Sequence, residues 1–168
     1  MKIFHPDQFQ GCNQTKNYFE GWYYKIVNAD ETKAFAVIPG IALDRGTTKQ
    51  SFIQVLDGKK CKASYFKFPL ESFTSHPKKF EISIGKNNFS SDRIELDLDQ
   101  ITGSLYFDGN VPWPVKWYSP GIMRPFAFVP FMECYHGIVS MDHRILGELT
   151  IDGEKINFDN GRGYIEKD

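Results

Sequence analysis

The chain predicts an all-β protein, an antiparallel barrel or sandwich with little helix, on three observations. Apolar and polar residues alternate with period two in segment after segment, while long runs of apolar residues at helical spacing are missing. Turn-forming pairs rich in Asp, Asn and Gly punctuate those segments at short intervals. Aromatic residues make up 15% of the chain, with 15 Phe, 8 Tyr and 3 Trp, enough ring surface to fill a core or to line a cavity.

Taken in order, the alternation predicts strands over residues 18–28, 34–38, 51–56, 62–68, 80–84, 93–97, 102–107, 126–131, 135–141, 148–151 and 155–158. Residues 28–31, Asp57-Gly58, Asp108-Gly109-Asn110, Asp152-Gly153 and Asp159-Asn160-Gly161 supply turns between them. Pro112, Pro114, Pro120 and Pro125 remove backbone donors from residues 111–125, which are therefore expected to form a loop across an open barrel end. His143, between Asp142 and Arg144, is expected at a hairpin tip. Strand phase places Glu20, Trp22, Tyr24 and Ile26 on one face and Phe19, Gly21, Tyr23, Lys25 and Val27 on the other.

At 168 residues the chain is expected to be a single domain over 1–168, large enough for a core without metal or disulfide support. Twenty Lys and Arg against 21 acids leave a net charge of −1, so no broad basic face exists for nucleic acid. Cys12, Cys61 and Cys134 are far apart and form no CxxC pair, which fits a reducing compartment. The first residues, MKIFHPDQFQG, lack the apolar run of a signal peptide, and no stretch approaches the ~20 apolar residues of a membrane span. A cytoplasmic location is the expectation. Nucleotide-binding motifs are absent, because Gly161-Arg162-Gly163 lacks the third glycine and a following helix.

Residues 117–140, WYSPGIMRPFAFVPFMECYHGIVS, set Glu133 and His136 in aromatic, proline-broken apolar surroundings. A carboxyl buried in such a setting is held neutral and becomes a proton donor for an uncharged substrate. Glu133 and Glu20 both meet that requirement, and His136 can accept a proton or orient Glu133. Trp22, Tyr24, Trp117 and Tyr135 offer ring faces to a substrate or to a developing cation. Residue type alone leaves a second reading open, in which Glu133 and His136 hydrogen-bond to neighbouring strands and the rings are core. Ideal strand parity separates Glu133 from His136, so joint action needs irregular backbone near Cys134. The Glu133-x-x-His136 spacing is that of a di-iron ligand pair, but such a site needs helices and a second copy, and neither is present.

Several pieces of the chain carry a family resemblance. FEGWYYK (19–25), FVPFMECYHGIVS (128–140) and GRGYIEKD (161–168), with HPDQFQG (5–11) and IPGI (38–41) in matching order, resemble the tocopherol cyclase-like family over nearly the whole chain. The resemblance implies a lipocalin-like barrel or strongly curved β-sandwich, and a relation to plant enzymes that close the chromanol ring of vitamin E without a cofactor. Family members are built from two successive barrel-like halves and continue past the GYIEKD motif. This chain therefore resembles the N-terminal half, with the missing C-terminal half of the same protein as an expected partner and an apolar small molecule as the expected ligand. Two functions follow as alternatives: cyclisation or isomerisation of a prenylated aromatic or other isoprenoid by proton donation, or binding of an apolar molecule without chemistry, as in a lipocalin-like carrier.

Overall fold

The computed structural model describes residues 4–44, 49–129 and 135–168. Among them lie twelve strands: β1 (Tyr18–Val27), β2 (Ala34–Leu43), β3 (Lys49–Asp57), β4 (Lys62–Pro69), β5 (Phe73–Ser75), β6 (Glu81–Ile84), β7 (Asn87–Ser90), β8 (Arg93–Leu98), β9 (Ile101–Asp108), β10 (Gly137–Ile151), β11 (Glu154–Asn157) and β12 (Gly161–Lys167). Among the described residues helix is confined to short 3-10 turns such as Gly11–Asn13, Leu70–Ser72 and Arg124–Phe128. All strand pairs are antiparallel, in the order β4-β3-β2-β1-β12-β10-β9-β8-β7-β6-β5, with β11 beside β10. The result is one large, curved, unclosed sheet. Its two edge strands, β4 and β5, are joined by the Leu70–Ser72 turn, so the chain itself spans the seam that hydrogen bonds leave open.

Curvature lets a single sheet bury one face against itself. Trp22, Tyr24 and Ile26 of β1 pack with Phe35 and Val37 of β2, Ile53 and Val55 of β3, and Phe80, Ile82, Ile84 and Phe89 from the opposite side. The Trp22 indole stacks on Phe80 at 5.6 Å with an interplanar angle of 11°. Tyr24 meets Phe80, Phe89 and Phe107 at 6.0 to 6.3 Å. The interior is thus packed with rings, and each buried ring contributes about 2–3 kcal/mol by removal from water. Among the described residues no helix is long and apolar enough to cross a membrane.

The strand expectations hold for most of the sheet, and the departures have physical causes. Residues 137–141 and 148–151 belong to one 15-residue strand, β10, which starts two residues later than expected and has no hairpin tip at His143. Asp142 and Arg144 point outward to Arg162 and Asp108, while His143 between them points inward and is buried. Period-two alternation, out-in-out, had the composition of a turn. In place of a strand over 126–131, Arg124–Phe128 forms a 3-10 turn, with Pro125 in its first positions and Arg124 at φ 52°. Residues 130 and 131 lie outside the described set. Strand β2 runs five residues further than expected, through Pro39, because β1–β2 pairing lapses between Gly21↔Gly40 and Tyr24↔Val37, where the missing proline donor would sit. The expectations omitted β5, β7 and β12, the first for its three residues and the others for polar or glycine-rich composition.

Candidate functional site

Strand β12 sits between β1 and β10, and its phase divides the GRGYIEKD sequence cleanly. Gly163, Ile165 and Lys167 lie across from Ile26, Tyr24 and Trp22 and face inward. Arg162, Tyr164, Glu166 and Asp168 take the other face. The β10 strand enters opposite the end of β12, with Gly137↔Lys167 and Ile138↔Glu166, so His136 arrives beside Glu166 and Asp168. Its Nδ1 is hydrogen-bonded to Asp168 Oδ1, and its Nε2 lies 3.3 Å from Glu166 Oε2. The Tyr164 hydroxyl donates to Glu166 as well. Burial, reinforced by the hydrogen bond to Glu166 and its charge, raises the Tyr164 phenol above the ordinary range, and burial with the same carboxylate raises Tyr23. Both phenols therefore stay protonated beside the carboxylate.

One strand position inward, a second polar cluster lies at the same end of the sheet. Glu20 and Lys167 are 1% and 3% exposed, and their charged atoms are 2.9 Å apart. Glu20 also accepts the backbone N–H groups of Gln10 and Gly11 at 2.9 to 3.1 Å and the Tyr18 hydroxyl at 2.5 Å. Burial, with the hydrogen bond to Glu20, lifts the Tyr18 phenol well above its usual range, consistent with a donor facing a carboxylate. Among the described residues these contacts to Glu20 are all donors or a cation. The Lys167 ammonium lies 5.9 Å from the centre of the Trp22 ring.

Open clefts surround these groups. One of about 990 Å³ is lined by Tyr18, Phe19, Glu20, Tyr135, Lys167 and Asp168 among others. A second of about 290 Å³ follows the outer sheet face past Phe19, Tyr23, Ile38, Phe52 and Tyr65 and also ends at Asp168. A third of about 220 Å³ holds His136 and Tyr135 with Pro6, Gln10, Pro120 and Met123. The outer-face cleft is walled by a ladder of rings, Phe19 on Phe52 at 5.8 Å and Phe52 on Tyr65 at 5.3 Å. The first two clefts share Asp168, and the third holds His136, to which Asp168 is bonded. Among the described residues no group of three or more metal-ligating side chains has the geometry to hold a metal ion.

Of the residues singled out from sequence, His136, Tyr135 and Glu20 come together at this end of the sheet. Tyr135 is partly exposed and its hydroxyl donates to the Val129 carbonyl at 2.8 Å. Trp22 and Tyr24 do not join them, since both are wholly buried in the core, where Trp22 Nε1 donates to the Asp7 carbonyl and the Tyr24 hydroxyl to the Ser90 carbonyl. Trp117 is 82% exposed on the loop after β9 and lines none of these three clefts. Glu133 lies outside the described residues. Sequence reasoning overlooked Tyr164, Glu166, Lys167 and Asp168. Their alternation in GRGYIEKD was the available clue, masked by the two glycines and by a lysine on the inward face.

No protein-family profile matches the chain, and no curated protein matches it. Solved structures do. CghA matches with a TM-score of 0.55 and 13% identity over 89% of this chain and 45% of that one, and CghA with Sch210972 with 0.52 and 13% over 89% and 44%. Kievitone hydratase from Nectria haematococca matches with 0.53 and 14% over 95% and 51%. At these identities the likeness is one of fold, and it agrees with an all-β, lipocalin-like architecture. The chain spans about half the length of the structures it matches.

Proposed function

We propose that this chain forms half of a cofactor-independent enzyme that adds an O–H group across a carbon–carbon double bond of an apolar substrate. The specific form is tocopherol cyclase-like ring closure of a prenylated aromatic. The observation that carries the reading is convergence: pieces far apart in sequence supply Pro6 and Gln10, Phe19 and Tyr23, Ile38, Tyr135 and His136, and Asp168 to one set of adjoining clefts. These pieces are the five that carry the family resemblance.

The chemistry balances without an oxidant. A carboxylic acid, for which Glu133 is the proposed donor, gives its proton to one alkene carbon. The phenolic oxygen bonds to the other carbon, and the phenolic proton passes to His136. Return of that proton to the acid restores the enzyme, so substrate and product are isomers. Asp168 orients the imidazole and stabilises the imidazolium that forms, as a carboxylate does for any histidine base. Glu166, 3.3 Å from Nε2, occupies the place where a substrate hydroxyl would compete for the same nitrogen. Glu20 serves as a positioning residue that fixes the N-terminal segment against Lys167. Phe19, Tyr23 and Tyr135 offer rings to the substrate, while Trp22 and Tyr24 support the wall from within.

The test is conversion of a prenylated hydroquinone to a product of equal mass, followed by chromatography and mass spectrometry. His136→Gln and Glu133→Gln should each lower turnover by about 100-fold or more while binding changes by no more than a few-fold. Unchanged turnover in both variants would overturn the assignment. The ring-walled cleft of Phe19, Phe52 and Tyr65 also favours a second reading, a carrier, for which saturable binding accompanies no conversion by the wild-type chain joined to its other half.

A further inference from the structure

The loop between β9 and β10 carries a surface that the proposed chemistry does not use. From residue 109 to residue 129 the sequence has no Asp or Glu, although the chain holds 21 of them. Lys116 and Arg124 are its charged residues, and neither is ion-paired among the described residues. The same stretch exposes Trp117 at 82%, Phe126 at 64% and Tyr118 at 52%, with Val115, Phe128 and Val129 exposed as well. Two of the three tryptophans of the protein, Trp113 and Trp117, lie here.

We propose that this loop docks the protein on an anionic bilayer surface, with Trp117, Tyr118, Phe126 and Phe128 at the headgroup boundary and a lipid phosphate between Lys116 and Arg124. Trp and Tyr beside cations, with no acid among them, is the composition that an interface of water and lipid selects. Charge complementarity is localised. An open cleft of about 640 Å³ gathers Lys116 and Arg124 with Trp113, Tyr118 and Met141 around one hollow, which gives a phosphate two cations and gives its acyl chains apolar walls. Consecutive residues are exposed, Trp117 with Tyr118 and Phe128 with Val129, so apolar groups project on more than one side of the loop. A fluid lipid phase accommodates that arrangement, whereas a flat protein face covers one side. Further along the loop, Pro120, Gly121 and Met123 line the cavity that holds His136, so docking would bring the lipid phase next to the apolar clefts.

The experiment is co-sedimentation of the 168-residue chain with phosphatidylcholine vesicles, with and without phosphatidylserine. Binding should be stronger with phosphatidylserine and should weaken as salt is raised. Lys116→Gln/Arg124→Gln should lose the phosphatidylserine preference, and Trp117→Ser/Phe126→Ser/Phe128→Ser should lower partitioning by at least about tenfold. Because these side chains are exposed, the thermal midpoint of both variants should match that of the parent. Equal partitioning of the parent and the apolar triple variant would overturn the proposal. So would a dimer of the parent in vesicle-free buffer that the triple variant abolishes, or loss of vesicle binding when the chain is joined to the other half of the proposed enzyme, since the loop would then be covered by protein.

Discussion

His143 illustrates how much one buried side chain controls. Its ring lies 4.4 Å from Phe107, its Nδ1 is 3.2 Å from the Ser140 hydroxyl, and its Nε2 has no hydrogen-bond partner among the described residues. Burial pushes the imidazole down to about 4; the Asp142 charge opposes this and the Arg162 charge adds to it. In the unfolded chain the group titrates near 6.5. Between those values the unfolded state binds the additional proton, so the stability supplied by neutral His143 is complete above about pH 6.5 and is lost as pH falls toward 4. The loss is on the order of 2 kcal/mol at ~1.4 kcal/mol per pH unit, reduced for partial solvation. Urea unfolding at pH 7 and pH 4.5 should show a smaller difference for His143→Phe than for the parent. Identical pH dependence in the two proteins would remove His143 from the account. Gly163 leaves the room that the ring needs, because a Cβ there would meet His143 Nε2 at 2.1 Å. Gly163→Ala should cost about 1–3 kcal/mol by overpacking, and His143→Ala in the same chain should recover much of that cost. A strictly additive double-mutant cycle would contradict the contact.

At the scale of elements, β1 and β12 are locked by Glu20 and Lys167 as well as by their ladder. Removing one member of a buried pair leaves the other uncompensated, so Lys167→Met should destabilise the protein by about 3–5 kcal/mol. Glu20→Gln with Lys167→Met should be less harmful than Lys167→Met alone, as measured by thermal or denaturant unfolding. Glu20→Ala should also free residues 5–11, which Glu20 holds through the Gln10 and Gly11 amides, and limited proteolysis should then cut there first. The inward phase of Glu20, Trp22, Tyr24 and Ile26 was legible in sequence because β1 alternates without a break. That of β12 was not, since an inward Lys167 is intelligible only when its partner on β1 is known. Strand β10 misled for the converse reason. Asp142-His143-Arg144 has the composition of a turn, and only the ion pairs to Arg162 and Asp108 reveal two outward charges flanking an inward ring.

For the whole molecule, the decisive feature is where the open space lies. Trp22, Tyr24, Phe80, Phe89 and Phe107 fill the interior of the curved sheet, and the clefts open at its rim and on its outer face. An apolar ligand should therefore bind without reaching the core. In a Trp113→Phe/Trp117→Phe background, emission from Trp22 should remain unchanged on addition of a saturating apolar ligand. Quenching of Trp22 would instead place the ligand inside the barrel. The unclosed seam makes a related demand. Amides of the edge strands β4 and β5 should exchange with solvent faster than those of β1, β10 and β12, which are paired on both sides.

The sequence by itself determined the all-β class, most strand positions and the inward face of β1, because alternation and turn chemistry are local properties. Only the tertiary structure decided that Glu166 and Asp168 flank His136, that Glu20 is matched by Lys167, and that Trp22 and Tyr24 are core. Those relations join residues on different strands, His136 to Asp168 across 32 positions and Glu20 to Lys167 from opposite ends of the chain, and their geometry is set by strand order and register, which no local pattern encodes.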